Sequence, residues 1–129
     1  MIMESPIATV EPSDVSQVAS RLDLDGQRVL ATGAGNGMGR VAAFTFAAAG
    51  ADLVISDRLA DDLSETADEL RDAFDADVEP VTADISDPDD IAELVDEGVE
   101  ALGGLVVVLN SAGVSTGEKS ESMAVKAWA

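Results

Sequence analysis

The run Val29-Leu30-Ala31-Thr32-Gly33-Ala34-Gly35-Asn36-Gly37-Met38-Gly39-Arg40-Val41 constrains this chain more than any other stretch. Apolar residues enter it, Gly33, Gly35, Gly37 and Gly39 fill its centre, and an Ala- and Phe-rich segment from Val41 to Ala49 leaves it. The pattern predicts a buried strand, a tight turn and the start of a helix. Glycines permit positive φ and let a ligand's phosphates come close to the backbone, because no Cβ stands in the way. The first turn of the following helix offers unpaired N–H groups and the positive end of its dipole to an anion. A dinucleotide pyrophosphate fits that description. The alternative is a glycine-rich strand–helix turn with no ligand.

The rest of the chain alternates in step with that opening. Residues 1–21 are a polar lead-in with Pro6 and Pro12, expected to be a flexible extension in which Val15, Val18, Ala19 and Leu22 could mark one short helix. Residues 22–129 read as one domain of alternating strands and helices. Its first strand is Arg28 to Thr32. A helix from about Met38 to Ala49 follows, closed by Gly50, with Val41, Phe44 and Ala48 toward the sheet. Ala51 to Ser56 is the second strand. The second helix, roughly Asp61 to Phe74, carries Leu63, Ala67, Leu70 and Phe74 on one stripe. Val78 to Ala83 is the third strand, and Pro80 places it at a sheet edge or a strand end.

Ser86-Asp87-Pro88-Asp89-Asp90 is a helix start, with a capping residue, a first-turn proline and carboxylates that complement the dipole. The third helix presents Ile91, Leu94, Val95, Val99 and Leu102 on one face and stops at Gly103-Gly104. Leu105 to Leu109 is continuously apolar, so the fourth strand is expected to be buried on both faces. A β-α-β-α-β-α-β order with right-handed crossovers gives a Rossmann-like, doubly wound α/β fold, with a parallel sheet in the order 3-2-1-4. Ligands bind such sheets outside the carboxyl ends of the strands, at the switch point between the first and fourth. Gly33 to Gly39, Asp57, Asp84 and Asn110 to Gly113 all fall on that edge.

Composition removes several chemistries. The 129 residues include no Cys and no His, which excludes disulfides, thiolate zinc sites, a cysteine nucleophile and the Ser-His-Asp triad. The formal charge is −19, from 26 acidic and 7 basic residues spread along the whole chain, a field that repels nucleic acid and anionic membranes. One reading is a surface suited to a high-salt cytoplasm, where the Debye length falls from roughly 8 Å to about 3 Å at 1 M and amides touching a phosphate outweigh distant carboxylates; the alternative is simply an acidic domain. The lead-in lacks a basic n-region and no apolar run reaches transmembrane length, so a cytoplasmic location is expected. Asp87, Asp89 and Asp90 lack the spacing of a calcium loop and read as a helix start.

Asp57 lies 18 residues after Gly39, where an acceptor for the adenosine ribose hydroxyls belongs. A carboxylate there accepts both hydroxyls and repels a 2′-phosphate, which favours NAD over NADP, while the neighbouring Arg58 guanidinium is able to hold a phosphate. A helix-capping turn is the alternative role for Asp57.

The spacing Thr32-Gly33, Gly37, Gly39 is T-G-x-x-x-G-x-G, which resembles the short-chain dehydrogenase/reductase family; the likeness runs from about Leu22 to Trp128. It implies a nicotinamide cofactor on Gly33, Gly35, Asn36, Gly37, Met38 and Gly39. Asp84-Ile85 is similar to the family's Asp-plus-apolar pair beside the adenine, although capping of the third helix is nearly as good a reading. Asn110-Ser111-Ala112-Gly113 is similar to the family's Asn-Asn-Ala-Gly, so Asn110 would steady the sheet and Ala112 and Gly113 would lie near the cofactor. The family's catalytic residues come later, a Ser and then Tyr-x-x-x-Lys. This chain has no Tyr, and Ser115 and Ser122 stand four residues before Lys119 and Lys126. No catalytic or metal-ligating residue is therefore assigned. The resemblance implies the N-terminal, cofactor-binding half of an oxidoreductase on an alcohol or ketone, inactive alone. The alternatives are half of a split enzyme and a non-catalytic NAD-binding module. An uncovered fourth strand with Val106, Val107 and Val108 would invite self-association or a missing partner.

Overall fold

The computed structural model describes residues 12–113. Among them the elements run α1 (Pro12–Ala19), β1 (Arg28–Thr32), α2 (Gly37–Ala48), β2 (Asp52–Asp57), α3 (Ala60–Ala73), β3 (Val78–Thr82), α4 (Pro88–Leu102) and β4 (Val107–Asn110). All strand pairs are parallel and the sheet order is β3-β2-β1-β4, as the alternating pattern predicts. The chain winds outward from β1 to β3, then crosses back to place β4 on the other side of β1.

The pleat sorts the strand residues into two apolar layers. Val29, Leu53, Ile55 and Val78 meet Ala43, Phe44 and Ala47 of α2 and Leu63, Ala67 and Leu70 of α3. Leu30, Val54 and Val81 meet Leu94 of α4 on the opposite face. Alanines at the buried positions of α2 let the helix lie close to the sheet, and Phe44 fills the space beside them. Its ring meets Phe74 edge-on, 6.1 Å between centroids. Helix ends follow local chemistry. Asp87 caps α4 by accepting from the Asp89 amide at 2.9 Å, Pro88 occupies the first turn, and Gly103 closes the helix in the left-handed region at φ 79°.

The short helix offered for the lead-in forms: residues 12–19 are α1, whose Val15 and Ala19 are buried against α2, while Val18 and Leu22 stay exposed. Two apolar residues four apart seat this two-turn helix on its neighbour. One expectation is corrected: β4 is not buried on both faces. Val106 and Val108 are 62% and 55% exposed, and Val107 is exposed too. The reason is positional. β4 pairs only with β1, while α4 packs on β2 and β3, so no described element covers it. On α4 the expected apolar face is only partly covered: Leu94 is buried, while Ile91, Val95 and Val99 beside it are exposed. Residues 114–129, with Lys119, Lys126 and the serines near them, lie outside the described residues. Among the described residues no helix is long and apolar enough to cross a membrane.

This asymmetry predicts unequal responses to truncation. Phe44→Ala, at a fully buried position, should lower unfolding free energy by about 3–5 kcal/mol. Val106→Ala, on the open edge, should stay within about 0.5 kcal/mol of wild type. Denaturant unfolding of the two variants measures both.

Candidate cofactor site

Strand register brings the candidate residues to one edge. Thr32 at the end of β1 pairs with Ser56 of β2 on one side and with Asn110 of β4 on the other. Asp57 pairs with Thr82, so the β3 exit, where Asp84 and Ile85 follow, opens on the same edge.

The glycine loop is a backbone-on-backbone assembly. Gly33 adopts φ +66°, and a Cβ on it would stand 2.7 Å from the Ala112 amide nitrogen. A Cβ on Gly39 would overlap the Gly33 carbonyl, 2.6 Å from its carbon. The loop therefore closes on itself, and the first turn of α2 rises directly from the end of β1. Next to it, Ala34 donates its amide to the Ser56 carbonyl at 3.0 Å. Asp57 holds the following residue: its Oδ2 accepts from the Gly35 amide at 3.0 Å, and its Oδ1 accepts from the Leu59 amide at 3.0 Å. A carboxylate has roughly four acceptor positions, so two remain on this half-buried group, and their direction is set.

The N-terminus of α2 differs from those of the other helices. Asn36 is extended, at φ −157°, and makes no side-chain cap, and the first turn contains no carboxylate. Each of the other three described helices carries acidic residues there: Asp14 in α1, Asp61 and Asp62 in α3, Asp89 and Asp90 in α4. Gly37 has φ +59° and open space within 4 Å of where its Cβ would be. An uncapped, acid-free helix end beside an open glycine is a place for an anion.

Sequence reasoning passed over two threonines. The Thr32 hydroxyl oxygen accepts from the Ser111 and Ala112 amides at 3.2 and 3.3 Å, tying the β4 exit turn to the glycine turn. Thr66 of α3 is 1% exposed, and its hydroxyl lies 3.2 Å from the Gly35 carbonyl oxygen and 3.1 Å from that of Asp62. Thr32 stands at the head of the glycine spacing, a signal of place but not of role, whereas Thr66 shows only a hydroxyl beside an apolar helix stripe.

The remaining candidates are placed more loosely. Met38 and Ile85 have exposed side chains, and Asn110 is exposed at the end of β4. Gly113 has open space beside it. Arg58 is exposed, and its charge acts on Asp84 across the β2 and β3 exits. The exit of β3 is tied to β2 by the Ala83 amide, which donates to the Asp57 carbonyl at 3.1 Å. Asp84 is itself built into a turn: its Oδ1 accepts from the Ser86 hydroxyl at 2.7 Å and from the Ser86 amide at 2.9 Å. The Asp84 amide donates to Asp90 Oδ2 at 2.9 Å. Asp84 is therefore a turn-former and not the cap of α4, a place that Asp87 takes, and one of its carboxylate oxygens lies outside these bonds. With Asp87 capping and Asp90 holding that amide, this acidic run acts as a helix start, and no grouping of described residues suits a metal ion.

Two predictions follow from the geometry. Hydrogen bonds from the Ser86 hydroxyl and then the Ser86 amide, with a smaller contribution from Arg58, hold the Asp84 carboxyl below the ordinary aspartate value of 3.8. The charged form is the favoured one. What the turn gains from it is therefore present above the ordinary value and lost as pH falls through the lowered one. Carboxyl-detected NMR titration should find Asp84 titrating below 3.8 in the wild type and higher in Ser86→Ala. Separately, Gly39→Ala must push its methyl into the Gly33 carbonyl, and thermal or denaturant unfolding should show a loss of about 1–3 kcal/mol.

Comparison with known proteins agrees with this geometry. The family model described as short chain dehydrogenase matches residues 27–129. The chain is 36% identical over 98 residues to glucose 1-dehydrogenase of Gluconobacter oxydans, covering 76% of this chain and 37% of that protein. A short chain dehydrogenase/reductase from Burkholderia phymatum, solved in complex with NAD, superposes with a TM-score of 0.74 at 34% identity, over 83% of this chain and 38% of that one. The L-sorbose reductase of Gluconobacter frateurii, solved with NADPH and L-sorbose, superposes with a TM-score of 0.76 at 29% identity, over 83% and 41%. The chain thus spans a little over a third of the length of the glucose dehydrogenase it matches. A parallel sheet in the order β3-β2-β1-β4, a self-closed glycine loop at its switch point and a family match over residues 27–129 together place this chain in the short-chain dehydrogenase/reductase family.

Proposed function

We propose that this chain is the cofactor-binding portion of an oxidoreductase acting on an alcohol or ketone, and that it takes NAD in preference to NADP. The observation that carries this reading is the N-terminus of α2. In a chain with 26 acidic residues it alone among the described helices has an acid-free first turn, and it opens beside Gly37. The amides of Gly37, Met38 and Gly39 suit the pyrophosphate. The two free acceptor positions of Asp57 suit the 2′- and 3′-hydroxyls of the adenosine ribose, and the same carboxylate disfavours a 2′-phosphate. Asp84 offers its remaining oxygen to the exocyclic amine of adenine, and the exposed Ile85 offers a surface for the ring. Asn110, Ala112 and Gly113, on the turn that the Thr32 hydroxyl ties down at the Ser111 and Ala112 amides, border the nicotinamide side.

When bound, the cofactor supplies or accepts hydride at C4 of its nicotinamide ring. The chain's own part is to fix the cofactor. Gly35 and Asn36 set the loop, Asp57 orients the ribose, and the β4 exit turn bounds the far end. The resemblance leads one to expect a Tyr-x-x-x-Lys pair that moves the substrate proton. This sequence contains no Tyr, so turnover would require that pair from polypeptide outside this sequence, and a non-catalytic NAD-binding module is the second reading. By itself the chain binds cofactor without turnover. The open β4 edge with Val106 and Val108 supports covering by such a partner or by a second copy. The acidic surface supports a cytoplasmic, salt-rich setting without nucleic-acid or membrane partners.

Calorimetric titration with NAD and with NADP, at low salt and at about 1 M, tests the reading. NAD should bind more tightly than NADP. Its affinity should hold or rise with salt, because screening removes long-range repulsion and leaves the direct amide contacts. Equal or tighter binding of NADP removes the preference, and no binding in either salt removes the cofactor assignment. Sedimentation of the same samples should show association that Val106→Asp and Val108→Asp weaken; a monomer at all concentrations would contradict it.

A further inference from the structure

The loop from Gly35 to Asn36 is gripped by a second carboxylate besides Asp57. Asp62, in the first turn of α3, lies against it: its Cβ would be 3.2 Å from a Cβ on Gly35, and its Oδ2 accepts from the Asn36 side-chain amide at 3.4 Å. Thr66, one turn later, reaches the Gly35 carbonyl from the same helix face. Gly35 is thus fixed by its amide to Asp57 and by its carbonyl to Thr66, with Asp57 from the end of β2 and Asp62 from α3 both lying against it.

We propose that Asp62 is a second determinant of cofactor specificity, a carboxylate that works with Asp57 to reject the 2′-phosphate of NADP. The inference rests on the reading that Asp57 faces the adenosine ribose. A phosphate on that ribose carries close to two negative charges and would meet both carboxylates. The neighbouring neutral donor, the Asn36 amide, is directed to Asp62 and away from an incoming anion. The cleft of about 570 Å³ beside the loop brings no relief, since its lining includes Glu65, Glu69 and Asp72, and its one lining cation, Arg40, is ion-paired with Glu69 and stacked 4.5 Å from the Phe44 ring centre. Arg58 is left as the nearby guanidinium, and Asp84 shares its charge. Asp62 touches the loop and orders Asn36, so it acts on selectivity by charge and by position.

The test is titration of the full chain and of Asp62→Asn with NAD and NADP, at low and high salt. Asn keeps the shape and removes the charge. NADP affinity should rise about five- to tenfold, the scale of one like charge removed at close range near a surface, while NAD changes less than about twofold. The gain should shrink at about 1 M salt. Asp96→Asn, at an exposed position of α4 on the other face of the sheet, should leave the NADP-to-NAD ratio unchanged. Asp62→Ser serves as a second variant, with circular dichroism of each to verify folding. A wild type that prefers NAD, with an unaltered ratio in folded Asp62→Asn and Asp62→Ser, overturns the role of Asp62 and leaves the site reading standing. An equal loss of both cofactors also overturns it, because that marks a purely structural residue. A wild type that binds neither cofactor overturns the site reading and this inference with it.

Discussion

Everything on the functional edge depends on the contact between the Gly33 carbonyl and the Cα of Gly39. It leaves no room for a Cβ at Gly39. Because of it the loop closes in seven residues, and α2 starts above the end of β1 instead of beside it. The second tight contact, Gly33 against the Ala112 amide, brings the exit of β4 to the same spot. Thr32 adds two hydrogen bonds to that turn. A sheet whose order reverses between β1 and β4 leaves a crevice there. These contacts set how wide the crevice is and what backbone lines it.

Charge is the second constraint. A chain at −19 binding an anionic cofactor needs a local exception to its own field. The exception is geometric, not compositional. Carboxylates occupy the first turns of α1, α3 and α4, where they satisfy the dipole, and are absent from that of α2. Asp57, near the site, spends both oxygens on backbone amides and keeps acceptor capacity for neutral hydroxyls. The same arrangement makes a phosphate unwelcome at that position while a pyrophosphate at the helix end remains favoured.

Much of this was legible in the chain itself, because the signals were local. Gly33 to Gly39, the strand runs around them and the stop at Gly103-Gly104 each carry their own backbone requirement, and their order implies the sheet. The reading failed where a residue's state depends on something distant. An apolar run such as Leu105 to Leu109 says that a strand wants cover on two faces; it does not say which residues provide it, and here Val106 and Val108 are open. The helix α1 is legible as a short pattern, Val15, Val18, Ala19 and Leu22, but the pattern does not say that only Val15 and Ala19 meet a neighbour. Thr66 lies beside the stripe of Leu63, Ala67 and Leu70 with nothing to mark it, since no spacing rule announces a hydroxyl aimed at a carbonyl 31 residues away. Asp62 was one acid among many until its contact with Gly35 and Asn36 singled it out.

The central claim is that a dinucleotide's pyrophosphate sits on the first turn of α2. Amide NMR shifts during addition of NAD to the labelled chain test it most directly. The account predicts that the largest changes fall on Gly37, Met38 and Gly39, with a second group at Ala112 and Gly113 and little movement at the amides of the first turn of α4. Changes centred on α4 or on the open β4 edge, or no changes at saturating NAD, would contradict it.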